Sequence, residues 1–183
     1  MIPETLKPLV RLGYRHCLFF RQIHLRSPRA LLAVFLAATT TVAPAVAQDI
    51  VGRASVIDGD TVEIHGTRIR LFAIDAVESR QSCTTFQGQR WPCGREAAFA
   101  LADHIAGKTV TCQPIDQDRY GRIVARCYID DQDIAAWSVA HGWSLAWSRY
   151  STEYLPLQRS AKSLGLGIWS GTFEDPKSLR RTN

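Results

Sequence analysis

Acidic residues cluster at two places in the first half of the chain, with a spacing suited to binding a cation. Asp58 and Asp60 flank a glycine in the stretch SVIDGDTVEI, where an Asp-Gly turn leads into alternating apolar residues. On its own, such a triplet is more often a turn whose aspartates bond their own backbone. Asp75 and Glu78 follow in RIRLFAIDAVES. Two neighbouring carboxylates repel each other unless one is protonated or a cation lies between them, and oxygen ligands of this kind favour Ca²⁺ over Zn²⁺.

The two acidic stretches are predicted to lie on neighbouring strands of a hairpin. A two-residue turn at Gly66-Thr67 places Asp60 opposite Ala73 and diagonal to Asp75, within about 7–8 Å at the backbone. Both carboxylates then leave the same face of the sheet. The same register points Arg70 to the opposite face; a three-residue turn would reverse that assignment, and a bulge would reconcile the two.

The elements that must hold these residues are about five strands and two or three helices. Strands are predicted over 51–57, 62–65, 68–74, 109–115 and 122–129, and helices over about 94–107, about 133–141 and a segment that ends at Gly165. Ser151 or Thr152 is the expected N-cap of the last helix. This order predicts a small α+β domain in which a partly closed β-barrel removes the sheet edges.

Four cysteines remain once the first 47 residues, which contain Cys17, are set aside. Cys83, Cys93, Cys112 and Cys127 allow three disulfide connectivities, and local geometry favours Cys83–Cys93 across a loop and Cys112–Cys127 across a hairpin. A zinc site is the competing interpretation, but no C-x-x-C pair and no suitably placed histidine supports it.

The N-terminal segment resembles an export signal. Residues 30–47 are apolar and small, follow a basic stretch and end in an A-x-A pattern, which predicts cleavage after Ala47. An uncleaved membrane anchor is the alternative. We therefore expect a signal peptide over 1–47, one domain over 48–183, a periplasmic or secreted monomer, and no stable membrane association after cleavage.

The net charge of the chain belongs to this leader. The whole chain carries a formal charge of +5, and all of it lies within residues 1–47, so the remainder is neutral. Overall charge therefore gives no argument for nucleic-acid binding, and any such binding must come from the local arrangement of charged side chains.

Four motifs in order resemble one known family. IDGDT, RLFAIDAVE, DRYGR and GIW, which begin at residues 57, 70, 118 and 167, are similar to those of the staphylococcal-nuclease-like thermonucleases. The resemblance covers about residues 50–170. It implies a five-stranded oligonucleotide/oligosaccharide-binding (OB-fold) barrel with about three helices, and Ca²⁺-dependent hydrolysis of DNA and RNA.

The resemblance also assigns roles to individual residues. By resemblance, the calcium ligands are Asp60, Asp75 and the backbone carbonyl of Ala76. The general base is Glu78, and the phosphate-binding arginines are Arg70 and Arg122. Asp58 corresponds to an aspartate near the metal that is not a direct ligand. These types suit the chemistry, because a phosphodiester transition state gathers negative charge that a cation and guanidinium groups stabilise.

Substrate contacts and one departure from the family pattern complete the comparison. Arg119 and Tyr120, in the DRYGR motif, are assigned to substrate binding, with Tyr120 as a base-stacking residue. Trp147 and Tyr150 are candidates for a second stacking position, although packing explains either equally well. Val77 stands where many family members have proline, and we expect only a quantitative effect from this difference.

The sequence thus predicts an exported, Ca²⁺-dependent nuclease that cuts flexible or single-stranded DNA and RNA by in-line attack of water. The rival prediction is a catalytically inactive OB-fold module that binds nucleic acid or protein. Degenerate relatives of the family usually lose one of the arginines or carboxylates, and this chain retains all of them.

Overall fold

The computed structural model describes residues 48–182, and the predicted signal peptide, 1–47, lies outside this range. Twelve strands form three sheets in this part of the chain, and four α-helices pack around them. The strands are β1 (Ile50–Gly52), β2 (Ser55–Asp58), β3 (Thr61–Ile64), β4 (Thr67–Leu71), β5 (Ile74–Ala76), β6 (Cys83–Thr85), β7 (Arg90–Trp91), β8 (Val110–Gln117), β9 (Ile123–Ile129), β10 (Gln132–Asp133), β11 (Ser144–Ala146) and β12 (Gly171–Thr172). The helices are α1 (Cys93–Ile105), α2 (Ile134–Ala140), α3 (Leu155–Ser163) and α4 (Pro176–Thr182), with a 3₁₀ helix over Gly167–Ser170.

The main sheet curls into a barrel. Its strand order is β1-β8-β9-β4-β3-β2, with β4 and β9 parallel and the other pairs antiparallel. In a flat sheet the first and last of these strands would lie about 24 Å apart. Only Arg53 and Ala54 separate β1 from β2 along the chain, a span of at most about 11 Å. The sheet must therefore curl until its edges meet, which confirms the α+β fold and the OB-fold-like barrel.

The predicted strand over 51–57 supplies both edges of this barrel. It is broken into β1 and β2, of which β1 pairs with β8 and β2 pairs with β3. Counted as one broken strand, it forms a five-stranded barrel with β3, β4, β8 and β9. The bulge considered for the hairpin of β3 and β4 is absent, because the register from Thr61 to Thr67 runs without a shift; a bulge lies instead in β2 at Ile57, where the register with β3 shifts between Val56 and Asp58.

The turn prediction was wrong by one residue. His65 and Gly66, with φ angles of 52° and 79°, form the two-residue turn between β3 and β4, and Thr67 pairs with Ile64 in the ladder. This conformation suits glycine at its second position, whereas the β-branched Thr67 belongs in a strand. As a result Asp60 lies opposite Leu71, whose amide donates to the Asp60 carbonyl at 2.9 Å, and not opposite Ala73.

The predicted strand over 68–74 also ends early. Ala73 has a φ of 56°, so the chain leaves the barrel after β4 and continues as β5 in a separate two-stranded sheet with β11. This change of direction brings Asp75, on β5, to the barrel end where Asp60 precedes β3.

Both predicted disulfides are present. Cys112 and Cys127 lie directly opposite each other on β8 and β9 and are fully buried in the barrel core. Cys83 and Cys93 link β6 to the first residue of α1 within a second, smaller core that includes Val77 and Ile168.

Helices α1 and α2 lie where they were predicted, whereas the start of α3 was predicted incorrectly and α4 was not predicted. Asp133 caps α2 by accepting from the amides of Ala135 and Ala136. The N-cap of α3 is Tyr154, which makes no side-chain capping bond, so the expectation of Ser151 or Thr152 was wrong. The Ser151 hydroxyl instead accepts from the amide of Glu153 in the turn before the helix.

Helix α4 was not predicted at all. It follows the last motif of the family resemblance and begins at a proline, where helix starts are common. No helix within residues 48–182 is long and apolar enough to cross a membrane.

Candidate active site

Asp60 lies at the entrance to β3, and its carboxylate is almost entirely enclosed by protein donors. Its Oδ1 accepts from Arg70 at 2.5 Å and from the Thr61 hydroxyl at 3.1 Å, and its Oδ2 accepts from the Ala76 amide at 2.9 Å. Gly59 is needed beside it, because a Cβ at that position would lie 2.7 Å from the Ala76 side chain.

Asp75 faces Asp60 from β5 and is fully buried. Its Oδ1 accepts from Arg70 at 3.0 Å, and both of its oxygens accept from Arg180, at 2.8 and 2.7 Å. The predicted convergence of the two carboxylates is therefore present. The sequence left the face of Arg70 open; in the structure Arg70 pairs with Thr61 in the ladder, and its guanidinium bridges both carboxylates.

Burial raises the pKa of two carboxylates at this end of the barrel. Burial raises the pKa of Asp58 to about 6, with a further contribution from the charge of Asp60. Burial also raises the pKa of Asp75, although the hydrogen bond and charge of Arg180 act in the opposite direction. Such a group of carboxylates is stabilised by any cation that reaches it.

Glu78 lies in the loop after β5, with its side chain 41% exposed to the cleft. Its carboxylate accepts from Arg180 at 2.5 Å. Gln81 fixes the backbone of this loop, since its side chain accepts from the Glu78 amide at 3.0 Å and its own amide donates to the Glu78 carbonyl at 2.7 Å. Gly94 of α1 packs so closely that a Cβ there would lie 1.8 Å from the Glu78 carbonyl oxygen.

Val77 lies with its side chain buried in the second core. Packing therefore restrains the backbone between Ala76 and Glu78 at the position where many family members have proline.

Arg122 enters the same cleft from the turn between β8 and β9. Asp118 accepts from its Nε at 2.8 Å and from its backbone amide at 3.0 Å, which fixes the guanidinium. Its Nη1 donates to the Thr61 hydroxyl at 3.2 Å, and Thr61 in turn donates to Asp60. Arg122 is thus connected to the carboxylate pair through one hydroxyl group.

Aromatic residues border the cleft on two sides. Tyr120 is 70% exposed, and the Arg119 guanidinium lies 4.7 Å from its ring centre. On the other side, Trp147 packs edge-on against Tyr150, which is 60% exposed. The cleft has a volume of about 1500 Å³, and these side chains line it together with Asp60, Glu78, Arg70 and Arg122.

Sequence reasoning missed Thr61, Gln81 and Arg180 in the site, and Lys177 beside it. Thr61 follows Asp60 directly and could have been noticed as a hydroxyl donor inside the IDGDT motif. Lys177 and Arg180 lie on α4, beyond all four motifs, and only the basic character of KSLRR after an Asp-Pro pair hinted at them. Lys177 places its Nζ 4.9 Å from the ring centre of Trp147.

The donor set fits a hard cation. Asp60 and Asp75 offer carboxylate oxygens at one point, and Arg180 already places positive charge there. Within residues 48–182 no group of three or more His, Cys, Asp or Glu side chains is arranged to hold a metal ion. A cation at this point would therefore complete its shell with backbone, water or substrate oxygens, as hard cations commonly do.

Comparison with known proteins relates this chain to a family of nucleases. Residues 68–171 match a family described as staphylococcal nuclease homologue. An uncharacterized endonuclease of Escherichia coli is 36% identical over 146 residues, which cover 75% of this chain and 89% of the relative. A probable staphylococcal-like nuclease, CAN3, of rice is 32% identical over 125 residues, 67% of this chain and 30% of the relative.

A further relative is similar along nearly its whole length. The succinoglycan biosynthesis protein ExoI of Rhizobium meliloti (strain 1021) is 36% identical over 178 residues, which cover 96% of this chain and 93% of the relative. Arg180 lies outside the residues matched by the family model.

Proposed function

Given that this chain belongs to the family of staphylococcal nuclease homologues and is a nuclease, we propose that it is an exported enzyme that needs Ca²⁺ to hydrolyse DNA and RNA. The observation that carries the proposal is the convergence of Asp60 and Glu78 with Arg70 and Arg122 in one cleft, with Asp75 buried behind them and bonded to Arg70. Carboxylates for a cation, a base and two guanidinium groups can together promote phosphodiester hydrolysis, because they stabilise the charge that develops and activate water.

Asp60 and Asp75, with the backbone carbonyl of Ala76, are the proposed calcium ligands. When bound, Ca²⁺ would supply positive charge against the oxygens of the phosphate as negative charge develops on them. Burial of the two carboxylates strengthens this interaction, because little water competes for their oxygens.

Arg70 and Arg122 are the proposed phosphate-binding groups. Both guanidinium groups line the cleft, and each is oriented by a carboxylate partner, so their donors need little reordering. Arginine suits this role because it stays charged and donates two parallel hydrogen bonds to a phosphate.

Glu78 is the proposed general base. It takes a proton from water as the water oxygen forms a bond to phosphorus, and the bond from phosphorus to the departing 5′ oxygen breaks in line with it. The departing oxygen takes its proton from solvent, and the product carries a 3′-phosphate. Its partial exposure supports this role, since the carboxylate is open to water in the cleft.

Arg119, Tyr120 and the opposing pair Trp147 and Tyr150 are proposed to hold the nucleic-acid strand. Exposed aromatic rings offer stacking surfaces that tolerate any base. The proposed substrates are therefore flexible or single-stranded DNA and RNA, without strong sequence preference.

Export is proposed from the leader and the cysteines. The A-x-A pattern at Ala47 predicts cleavage, and two disulfides are typical of oxidising compartments. The proposed location is the periplasm or the medium, with the protein as a monomer.

The test is cleavage of single-stranded DNA by the purified oxidised protein with millimolar Ca²⁺ and with a chelator. We expect cleavage only with Ca²⁺, and a loss of about 100-fold or more in kcat in Glu78→Gln with DNA binding retained. Glu63→Gln is the matched control, because Glu63 is a half-buried glutamate of β3 that is not among the residues lining the cleft. Equal loss of binding and turnover in Glu78→Gln would contradict a role as base, and binding without any cleavage by the wild-type protein would favour the inactive binding module.

A further inference from the structure

The last described segment of the chain crosses the candidate active site. Residues 173–180, named here the C-terminal strap, include most of α4 and follow β12. The strap lies outside the residues that match the family model, which end at 171. Its position is therefore not explained by the features shared with the family over that range.

The strap is anchored at its start by several contacts. Phe173 packs edge-on against Trp169, with ring centres 5.2 Å apart. The Gln81 side chain donates to the Glu174 carbonyl at 2.7 Å, which ties the strap to the loop that carries Glu78. Pro176 is buried at the start of α4. These contacts direct α4 across the mouth of the cleft.

Arg180 contacts both Asp75, a proposed calcium ligand, and Glu78, the proposed general base. Its Nη2 donates to both oxygens of Asp75, at 2.8 and 2.7 Å, and its Nη1 donates to Glu78 at 2.5 Å. Asp75 is fully buried, whereas the Arg180 side chain remains 40% exposed. One guanidinium group thus covers a proposed metal ligand and the proposed base together.

This arrangement is incompatible with a cation in the same place. The Asp75 oxygens that accept from Arg180 at 2.7–2.8 Å are those that a bound Ca²⁺ would contact at about 2.3–2.6 Å. Both groups are positively charged and compete for the same acceptors, so binding of one disfavours the other. Glu78, while paired with Arg180, is also less available as a base.

We propose that Arg180 is a built-in competitor for the cation, so that the C-terminal strap keeps the site closed until Ca²⁺ displaces it. This inference rests on the proposed function, because it takes Asp75 as a cation ligand. If the closed form is populated about four times as often as the open form, the apparent Kd for Ca²⁺ is raised about fivefold.

The test measures Ca²⁺ binding itself, by isothermal titration of the purified protein with CaCl₂. Arg180→Gln removes the charge, and we expect its Kd to fall about fivefold relative to the wild-type protein. Arg180→Lys keeps the charge but cannot bridge two carboxylates with one planar group, so its Kd should lie between these values. Lys177→Gln is the matched control: it removes one positive charge from the same strap, but Lys177 faces Trp147 and not the carboxylates, so its Kd should stay within twofold of wild type.

Displacement of the strap gives a second readout. Trypsin cleavage after Lys177 should become faster when Ca²⁺ is added to the wild-type protein and should depend little on Ca²⁺ in Arg180→Gln. An unchanged or higher Kd in Arg180→Gln, with clear Ca²⁺ binding by the wild-type protein, would overturn the competition and leave the proposed function intact. No Ca²⁺ binding by either protein would overturn the proposed cation site and the competition together.

Discussion

At the scale of single residues, the site depends on side chains that each serve two partners. Arg70 bridges Asp60 and Asp75, and Thr61 accepts from Arg122 while donating to Asp60. Such shared contacts make a substitution at one residue change the position of its neighbours.

Arg122 provides the residue-scale prediction. In Arg122→Lys the charge remains, but the bond from Nε to Asp118 and the planar pair of donors are lost. We expect kcat on single-stranded DNA to fall about 100-fold, because such a donor acts on charge that develops in the transition state. Steady-state kinetics measure this change.

Arg126→Lys is the control for this substitution. Arg126 lies on β9 and bonds Glu153 and Tyr154 away from the cleft. An equal fall in kcat in both variants would contradict phosphate binding by Arg122.

At the scale of elements, a hairpin and a second small core position the site, and each contains one disulfide. Cys112–Cys127 joins β8 to β9 within the barrel, whereas Cys83–Cys93 joins β6 to α1 next to the loop of Gln81. The two bonds close loops with sequence separations of 15 and 10, so chain entropy gives each about 3 kcal/mol of stabilisation.

The two disulfides stabilise the fold to a similar extent but lie at different distances from the loop of Glu78, and this difference leads to a prediction about activity. Replacing Cys83 and Cys93 by serine should lower kcat between about 10- and 100-fold under folding conditions, because the loop of Glu78 loses its fixed position. Each double replacement should lower the free energy of unfolding by about 3 kcal/mol. Replacing Cys112 and Cys127 by alanine should, however, lower kcat less than replacing Cys83 and Cys93. Urea unfolding and initial cleavage rates measure both quantities; equal losses of kcat would show that the first disulfide has no special role in positioning.

Hairpin periodicity made much of this arrangement predictable. Alternating residues and turn signals predict Cys112 opposite Cys127, because pairing within a hairpin is local in sequence. They also predict Asp60 near Asp75, but the structure brings Asp75 there through the change of direction at Ala73 and not through hairpin pairing. The exact turn was missed, since His65 adopts a positive φ that its residue type only occasionally takes.

Long-range contacts of the site were not predictable in the same way. Arg180 is separated from Asp75 by 105 residues, and no period or turn links the two positions. Gln81 reads as an ordinary loop residue in sequence, and only the folded loop brings its side chain to the amide of Glu78.

At the scale of the whole molecule, a neutral domain carries a cleft lined by arginines. Residues 48–183 have no net charge, so long-range attraction to nucleic acid is weak and local contacts must hold the substrate. Arg70, Arg119 and Arg122 are the arginines expected to meet phosphates.

This count predicts the salt dependence of binding. For three phosphate contacts to single-stranded DNA, the slope of log K against log salt concentration should be about −2. Glu78→Gln, which should bind DNA but cut it about 100-fold or more slowly, allows the measurement by fluorescence anisotropy with Ca²⁺ present. A slope steeper than about −5 would mean that the strand follows a much more extended basic surface.

The most direct test of the account is the rate of single-stranded DNA cleavage by Asp75→Asn beside the wild-type protein, across a range of Ca²⁺ concentrations. Asp103→Asn, on the exposed side of α1, is the matched control. The account predicts Ca²⁺-dependent cleavage by the wild-type protein and the control, and a loss of at least about 100-fold in Asp75→Asn that added Ca²⁺ only partly restores. Wild-type cleavage that is unaffected by a chelator, or by loss of the Asp75 carboxylate, would contradict it.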